Sequence, residues 1–467
     1  MTVPHSGSFR DLKEILANYG CIGDTAAIPH EVKERTYMLC SNFLGGTWKT
    51  VPVEKMCLTR MKGGMSNMLF LCKLPEGYKP IGNEPDKTLL RVYFNPETES
   101  HLVAESVIFT LLSERQLGPQ LYGIFNGGRL EEYIVSRPLQ CPEIRVAEIS
   151  RKIAGKLAHV HKLSVPISKE PTYLCEALER WMTHLLEVAH CVRPFDIHWS
   201  SSNGNVTSRT ITEEVLRMEI ETIRWMNILS RKRSQQAIPV HMDGGKKIRV
   251  ISFDDIKDEL HVVRRALKKS PSPIVFCHND LQEGNILLPM EQTAGTKELV
   301  FIDFEYSSYN YRAFDFANHF CEWTIDYTCD QAPYFTVSPD NFPTEQEQAN
   351  FISAYLKESG HTDVSTEAVK RMINETAAFV PVSHFFWGVW ALLQVELSPV
   401  KFGFAEYGRM RLSYYFQLRT SLLNLLKSSG DGGSNGDTSS AAGSGDQNEH
   451  EINGQANAQD HNGRLEM

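Results

Sequence analysis

The apolar residues change period about a third of the way along the chain, and that change limits the folds open to it. Up to Arg137-Pro138 the apolar runs are short: VEKMCLTRM and MSNMLFLCKL joined by Lys62-Gly63-Gly64, then KTLLRVYF (Lys87 to Phe94), LYGIF and LEEYIV. Runs of this length bounded by turn residues predict five strands. A single amphipathic helix is expected among them from about Glu99 to Arg115, with Leu102, Val103, Val107, Ile108, Leu111 and Leu112 at helical spacing. Beyond Ala147 the period turns helical. EISRKIAGKLAHVHKL, Tyr173 to Cys191, ITEEVLRMEIETIRWMNIL and DDIKDELHVVRRALKK each predict a helix, and helices dominate to Lys427 apart from two apolar runs, PIVFCHND and ELVFIDFEY. The expectation is an α+β fold of two lobes, a small β-rich one over 1–140 and a larger helical one over 141–427. A cleft between lobes is the natural place for a ligand.

Composition narrows the function classes. The 467 residues are 42% hydrophobic, enough for a sizeable core, and carry 57 acidic against 48 basic residues, a net of −9. A general nucleic-acid binder would need a basic balance, so none is expected. The segment 428–467 has seven acidic residues and the single Arg464, with no aromatic, so a disordered acidic tail is expected there. RKRSQQAIPVHMDGGKKIR reads as an exposed basic connector, within a stretch from about Trp199 to Arg249 left unassigned. No basic flank with an apolar core opens the chain, and ten cysteines lie scattered without a CxxC pair. A cytoplasmic protein with reduced thiols is the expectation. Thr376 to Val395 has no Asp, Glu, Lys or Arg and is long enough to span a bilayer. It contains Pro381, Ser383, His384, Gly388 and Gln394, so a buried helix and no membrane span is the better reading.

The chemistry is concentrated in Cys277-His278-Asn279-Asp280-Leu281-Gln282-Glu283-Gly284-Asn285, followed by Ile302-Asp303-Phe304-Glu305. Each piece follows an apolar run and so delivers its polar residues at a strand end. Phosphoryl transfer requires positioning and charge neutralisation more than covalent help. Asp280 is placed to accept or orient a substrate hydroxyl proton. Asn285 offers an amide oxygen and Asp303 a carboxylate to Mg²⁺ bridging nucleotide phosphates, as oxygen ligation of a hard cation requires.

The HxDxxxxN then D-F-x order resembles the protein-kinase superfamily, with Glu305 where Gly is usual. In such a fold the small lobe holds ATP. Gly63-Gly64 would let the backbone approach phosphates, with Ser66 and Asn67 as added donors, although the same residues make an ordinary hairpin turn. The resemblance puts Arg91 at the phosphate-contacting cation of the third strand, with Glu105 as its partner. It makes the stretch from Glu131 through Glu132 to Ile134 the hinge that would bond adenine. More closely, CHNDLQEGNIL, FIDFEYSSYNYRAFDFANHFCEW, SHFFWGVW, RMKGGMSNMLF and LLRVY resemble the choline/ethanolamine kinase family, over about Leu12 to Lys427. That resemblance implies ATP- and Mg²⁺-dependent phosphorylation of choline to phosphocholine, for phosphatidylcholine synthesis by the CDP-choline route, on a protein-kinase-like fold, as a homodimer. It makes Asp280 the catalytic aspartate and links Asn285 and Asp303 to metal. Ala313 and Phe316-Ala317 depart from the family's common Gly and Ile-Gly, and repacking is expected there.

A quaternary ammonium donates no N–H bond and is held by aromatic faces and a carboxylate field. Trp387 and Trp390 are three residues apart and share a helix face; Glu322 and Asp326 would supply negative charge, with Tyr327 beside them. On spacing alone the tryptophans are more often core; the resemblance assigns them, with Tyr407, to the cation site. Phe320-Cys321-Glu322-Trp323 resembles the choline branch, so choline is expected ahead of ethanolamine. The alternatives are an ethanolamine or dual choline/ethanolamine kinase, a kinase of an aminoglycoside-like alcohol, and a non-catalytic subunit that binds nucleotide or heterodimerises.

Overall fold

Short alternating segments pair early in the chain because no run is long enough to bury itself as a helix. The computed structural model describes residues 28–61, 67–93, 99–191, 237–242, 247–290, 299–398 and 400–427, together with Leu12, Ile15 and Leu16. Gly63, Gly64, Ser66, the helix expected over 211–229 and the tail 428–467 lie outside the described residues. Strands β1 (Cys57–Arg60), β2 (Asn67–Lys73), β3 (Lys87–Tyr93), β4 (Leu121–Phe125) and β5 (Gly128–Glu132) form one antiparallel sheet in the order β1-β2-β3-β5-β4. The strand expected from Val53 starts later, because Pro52 sets a 3-10 turn over Val53–Lys55. Helix α1 (His30–Leu44) precedes the sheet, and α2 (Glu99–Glu114) lies between β3 and β4 in the chain. The period change hides α1: its buried stripe is only Val32, Thr36 and Cys40, one residue per turn and one of them polar.

The chain leaves the first sheet through β6 (Ser136–Pro138), which pairs with β10 (Ile286–Pro289) and occupies the edge of a second sheet completed by β11 (Val300–Phe301). An edge position tolerates Pro138. Helices α3 (Ala147–His161), α4 (Tyr173–Cys191) and α5 (Phe253–Leu267) follow. The basic connector is in part a hairpin. Strands β7 (Ala237–Met242) and β8 (Lys247–Ser252) pair from Ala237↔Ser252 to Met242↔Lys247. AIPVHM and KIRVIS alternate around Asp243-Gly244, a hairpin signal that the flanking lysines and arginines obscure.

Strand β9 (Ile274–Cys277) pairs with β12 (Ser308–Tyr311), and α6 (Arg312–Glu322) starts directly after it. The remaining helices are α7 (Glu345–Glu358), α8 (Thr366–Ala377), α9 (Val380–Leu397) and α10 (Phe404–Lys427). The uncharged stretch is mostly α9, buried in the protein's own core at every position from Val380 to Gln394. The described residues fall in one compact unit ending at Ser429.

Two glycines allow α9 and α10 to touch. A Cβ on Gly388 would lie 2.9 Å from Leu412 Cγ, and one on Gly408 would lie 3.2 Å from the Gly388 carbonyl oxygen. Replacing Gly388 by Val forces the helices apart. Overpacking of this kind costs about 1–3 kcal/mol, and G388V should therefore lower the urea midpoint; an unchanged midpoint would show that the helix pair has slack.

Candidate active site

The loop after β9 is built on one buried carboxylate. Asp315, in the first turn of α6, accepts the backbone N–H of His278 at 2.7 Å and of Asn279 at 2.6 Å, and its Oδ2 lies 2.9 Å from His161 Nε2. It is fully buried. Burial by itself would raise its pKa; the hydrogen bond and charge of His161, with His278, outweigh it and hold the carboxyl below its ordinary value. Asn279 takes a left-handed conformation, φ 68°. Its side chain is fully engaged: Nδ2 donates to the Tyr306 carbonyl and Ser308 Oγ, and Oδ1 accepts from Asn310 Nδ2. His278 faces the Ile302 carbonyl through Nε2 at 3.0 Å, and burial lowers its pKa, so the ring is neutral. These contacts fix the backbone that presents Asp280.

Asn285 turns its amide nitrogen to Asp280, 2.8 Å from the carbonyl oxygen and 2.9 Å from Oδ2. Its Oδ1 is thus the amide oxygen not committed to Asp280. Asp303 follows β11 in a left-handed conformation, φ 65°. The Asp280 carboxyl is pushed well up, first by burial and then by the negative charge of Glu322, Asp303 and Glu305. Carboxylate oxygens such as that of Asp303, with the Asn285 amide oxygen, are the donor types that a hard divalent cation takes. The residues present fit Mg²⁺.

Arg91 donates from NH1 to Asp303 Oδ1 at 2.9 Å. Its Nε is buried without a hydrogen-bond partner, 3.6 Å from Glu131 Oε1. The expected Arg91–Glu105 pair does not form. Arg91 stands opposite Arg129 in the β3–β5 register, and Glu105 bonds Arg129 instead, at 2.5 Å. Like charges facing across strands are destabilising; Glu131, 2.6 Å from Arg129 Nε, and Glu105 offset one arginine, and Asp303 the other. Arg129 also lies 3.9 Å from the centre of the Phe109 ring. Asn67 donates to Glu305 Oε2 at 2.9 Å, so the residue standing where the kinase pattern has Gly joins the foot of β2 to the Asp303 turn. At the expected hinge, the Glu132 amide donates to the Gln120 carbonyl and its carboxylate accepts from the Gln120 amide, which closes the β4–β5 end. The Ile134 carbonyl accepts from Ser136 Oγ.

The aromatic residues come together as the spacing predicts. The Trp387 and Trp390 rings meet edge to face, 5.4 Å between centres. Their N–H groups are anchored, Trp387 on Asn318 Oδ1 at 2.8 Å and Trp390 on Tyr306 OH at 2.9 Å. The line of rings continues through Phe404 and Phe402 to Tyr407. Tyr327 donates to Glu322 Oε2 at 2.8 Å and lies 2.9 Å from Tyr407 OH. Asp326 does not join them; its Oδ1 accepts from the Thr328 amide and hydroxyl at an exposed turn. Phe316, one of the departures, is buried against Phe351 and Tyr355.

Sequence reasoning missed Asp315, Arg411, Phe402 and Phe404. The Asp315 signal was available, since a carboxylate in an otherwise apolar helix start, FDFANHF, is rarely buried without a donor set. Arg411 carried no local signal.

The choline/ethanolamine kinase family model matches residues 58–416. Choline kinase A2 of Caenorhabditis elegans is 50% identical over 91% of this chain and 94% of its own length. A human choline/ethanolamine kinase is 36% identical over 86% and 90%. Among solved structures, a Plasmodium vivax ethanolamine kinase aligns with TM-score 0.60 at 22% identity, over 90% of this chain and 99% of that one. A Cryptosporidium parvum choline kinase aligns at 0.56 and 24%, over 84% and 96%. These two share the protein-kinase-like fold.

The Asp315 geometry makes a pH-dependent prediction. A carboxyl whose folded pKa is lowered contributes stability above its unfolded value of about 3.9, and loses that contribution as pH falls through the folded value. Asp315→Asn should therefore be destabilised most at neutral pH, and its gap from the parent should close in acid. Denaturant unfolding between pH 7 and 3 measures this, and a gap that widens in acid would contradict the assignment.

Proposed function

This chain belongs to the choline/ethanolamine kinase family, and from that premise we propose that it transfers the γ-phosphoryl group of ATP to the hydroxyl of choline, giving phosphocholine and ADP. The observation that carries the reading is the aromatic cluster around Glu322, with the Trp387 and Trp390 rings 5.4 Å apart and Tyr327 donating to the carboxylate. Such a wall suits a quaternary cation, while Asp280, held by the Asn285 amide, offers the proton acceptor. Choline carries its hydroxyl at one end and its cation at the other, and the two features match those ends.

In this reading Asp280 orients the choline hydroxyl and takes its proton as the oxygen attacks the γ-phosphorus and the bond to the β-phosphate oxygen breaks. The carboxyl is suited to the task, since burial and its acidic neighbours raise its proton affinity. Asn285 holds that carboxylate in one orientation through its amide. Asn285 and Asp303 would hold Mg²⁺, which neutralises phosphate charge when bound. Arg91, with its unpartnered Nε, is the cation nearest that carboxylate and would face phosphate oxygens. Gly63, Gly64, Ser66 and Asn67 would close over the phosphates, with Glu132 and Ile134 flanking adenine. Trp387, Trp390, Tyr327, Tyr407 and Glu322 would hold the trimethylammonium, each cation–π contact giving about 0.5–2 kcal/mol.

The family likeness extends the proposal to a homodimer, which light scattering tests, and the free thiols of the described cysteines suit a reducing, cytoplasmic setting. Purified protein should release ADP only with both choline and Mg²⁺ present. Asp280→Asn should bring that signal to background with the thermal melt preserved; choline-dependent turnover in the variant would remove Asp280 from the chemistry. Trp390→Ala should raise the choline KM roughly tenfold and leave the ATP KM unmoved, and equal shifts in both would contradict the cation site.

A further inference from the structure

Behind the aromatic wall lies a buried arginine, an unexpected neighbour for a site that takes a cation. Arg411, on α10, is fully buried. One of its terminal nitrogens donates to Glu322 Oε1 and, at 2.7 Å, to Tyr407 OH; Nε donates to the same hydroxyl at 2.9 Å. A carboxylate only accepts, so the proton of Tyr327 goes to Glu322 Oε2, and Tyr407 must then donate its own to Tyr327. Arg411, Glu322, Tyr327 and Tyr407 thus form a closed ring in which both carboxylate oxygens and both hydroxyls are engaged.

We infer that Arg411 is a positioning residue that sets the choice of amine: by closing this ring it occupies and orients acceptor lone pairs that a primary ammonium would use, and so favours a quaternary over a primary ammonium. The inference rests on the choline-phosphorylating reading above. A primary ammonium carries three N–H donors, and leaving them unpaired on transfer from water is unfavourable. A trimethylammonium has no N–H to satisfy, and ring faces offset part of its desolvation. The carboxylate still contributes its field, but Arg411 offsets much of its charge. His384, which packs on Arg411 with Nδ1 at 3.3 Å, cannot take that part: burial and the guanidinium hold it neutral.

The test is the ratio of kcat/KM for choline to that for ethanolamine, measured with ATP and Mg²⁺ on the full chain. Arg411→Met frees Glu322 Oε1, and the ratio should fall roughly tenfold, the scale of one charge-assisted hydrogen bond. Arg411→Lys, which keeps the charge and one donor direction, should restore part of it. Because Arg411→Met leaves a buried carboxylate unpaired, a strongly destabilising change, Tyr327→Phe provides a second reading: it frees Oε2, keeps the ring face and should shift the ratio the same way. Folded variants that lose activity toward both amines by the same factor would overturn the inference while leaving the choline reading intact. A parent protein that turns over neither amine would overturn both.

Discussion

A single buried carboxylate governs the geometry of the catalytic loop. Asp315 accepts from two successive backbone amides and from His161, so the chain after β9 has one path open to it. An unpaired charge in that position would be destabilising by several kcal/mol, and the paired one is stable only with all its donors in place. The loop therefore cannot relax piecemeal. Asn279, in a left-handed conformation and with its whole side chain engaged, depends on the same anchor. Asp280 inherits its position from Asp315, His161 and Asn279.

The small-lobe side of the site follows another electrostatic constraint. The β3–β5 register sets Arg91 against Arg129, and such a pair persists only among enough carboxylates. Three are supplied, by α2, by β5 and by the turn after β11. The last, Asp303, carries the sheet's cation across to the turn after β11, the carboxylate proposed to hold the metal. The Asn67–Glu305 bond repeats the connection at the foot of β2. Two independent contacts thus tie the first sheet to one three-residue turn.

The parts of the fold set by periodicity were legible in the sequence, and those set by long-range polar pairing were not. Five strands and the inserted helix follow from run length and spacing, and the uncharged helix α9 follows from its interior polar residues. Helix α1 escaped because its apolar stripe is a single residue per turn, and the β7–β8 hairpin because basic residues interrupt its alternation. Asp280, Asn285 and Asp303 could be proposed from the sequence because their spacing within one loop and the next is short and their residue types are demanding, and the structure joins Asn285 to Asp280. Glu105 was given the wrong partner because the choice between Arg91 and Arg129 is made by strand register, 24 to 38 residues away, which no local pattern encodes. Arg411 lies 89 residues from Glu322, beyond any such pattern.

Helix α6 joins the two halves of the site. Asp315 and His319, one turn apart, both bond the catalytic loop, the latter through the Leu281 carbonyl at 2.9 Å. Asn318 and Glu322, also one turn apart on the adjoining face, hold Trp387 and the tyrosine–arginine ring. A helix rises 1.5 Å per residue and is stiff over two turns. The separation between the Asp280 loop and the cluster of Trp387, Tyr327, Tyr407 and Arg411 is thereby set by one rigid element. A substrate with its hydroxyl and cation at a fixed spacing needs that property more than it needs any single strong contact. It also explains why the polar ends of the tryptophans are anchored: a ring free to turn would lose the spacing that α6 maintains.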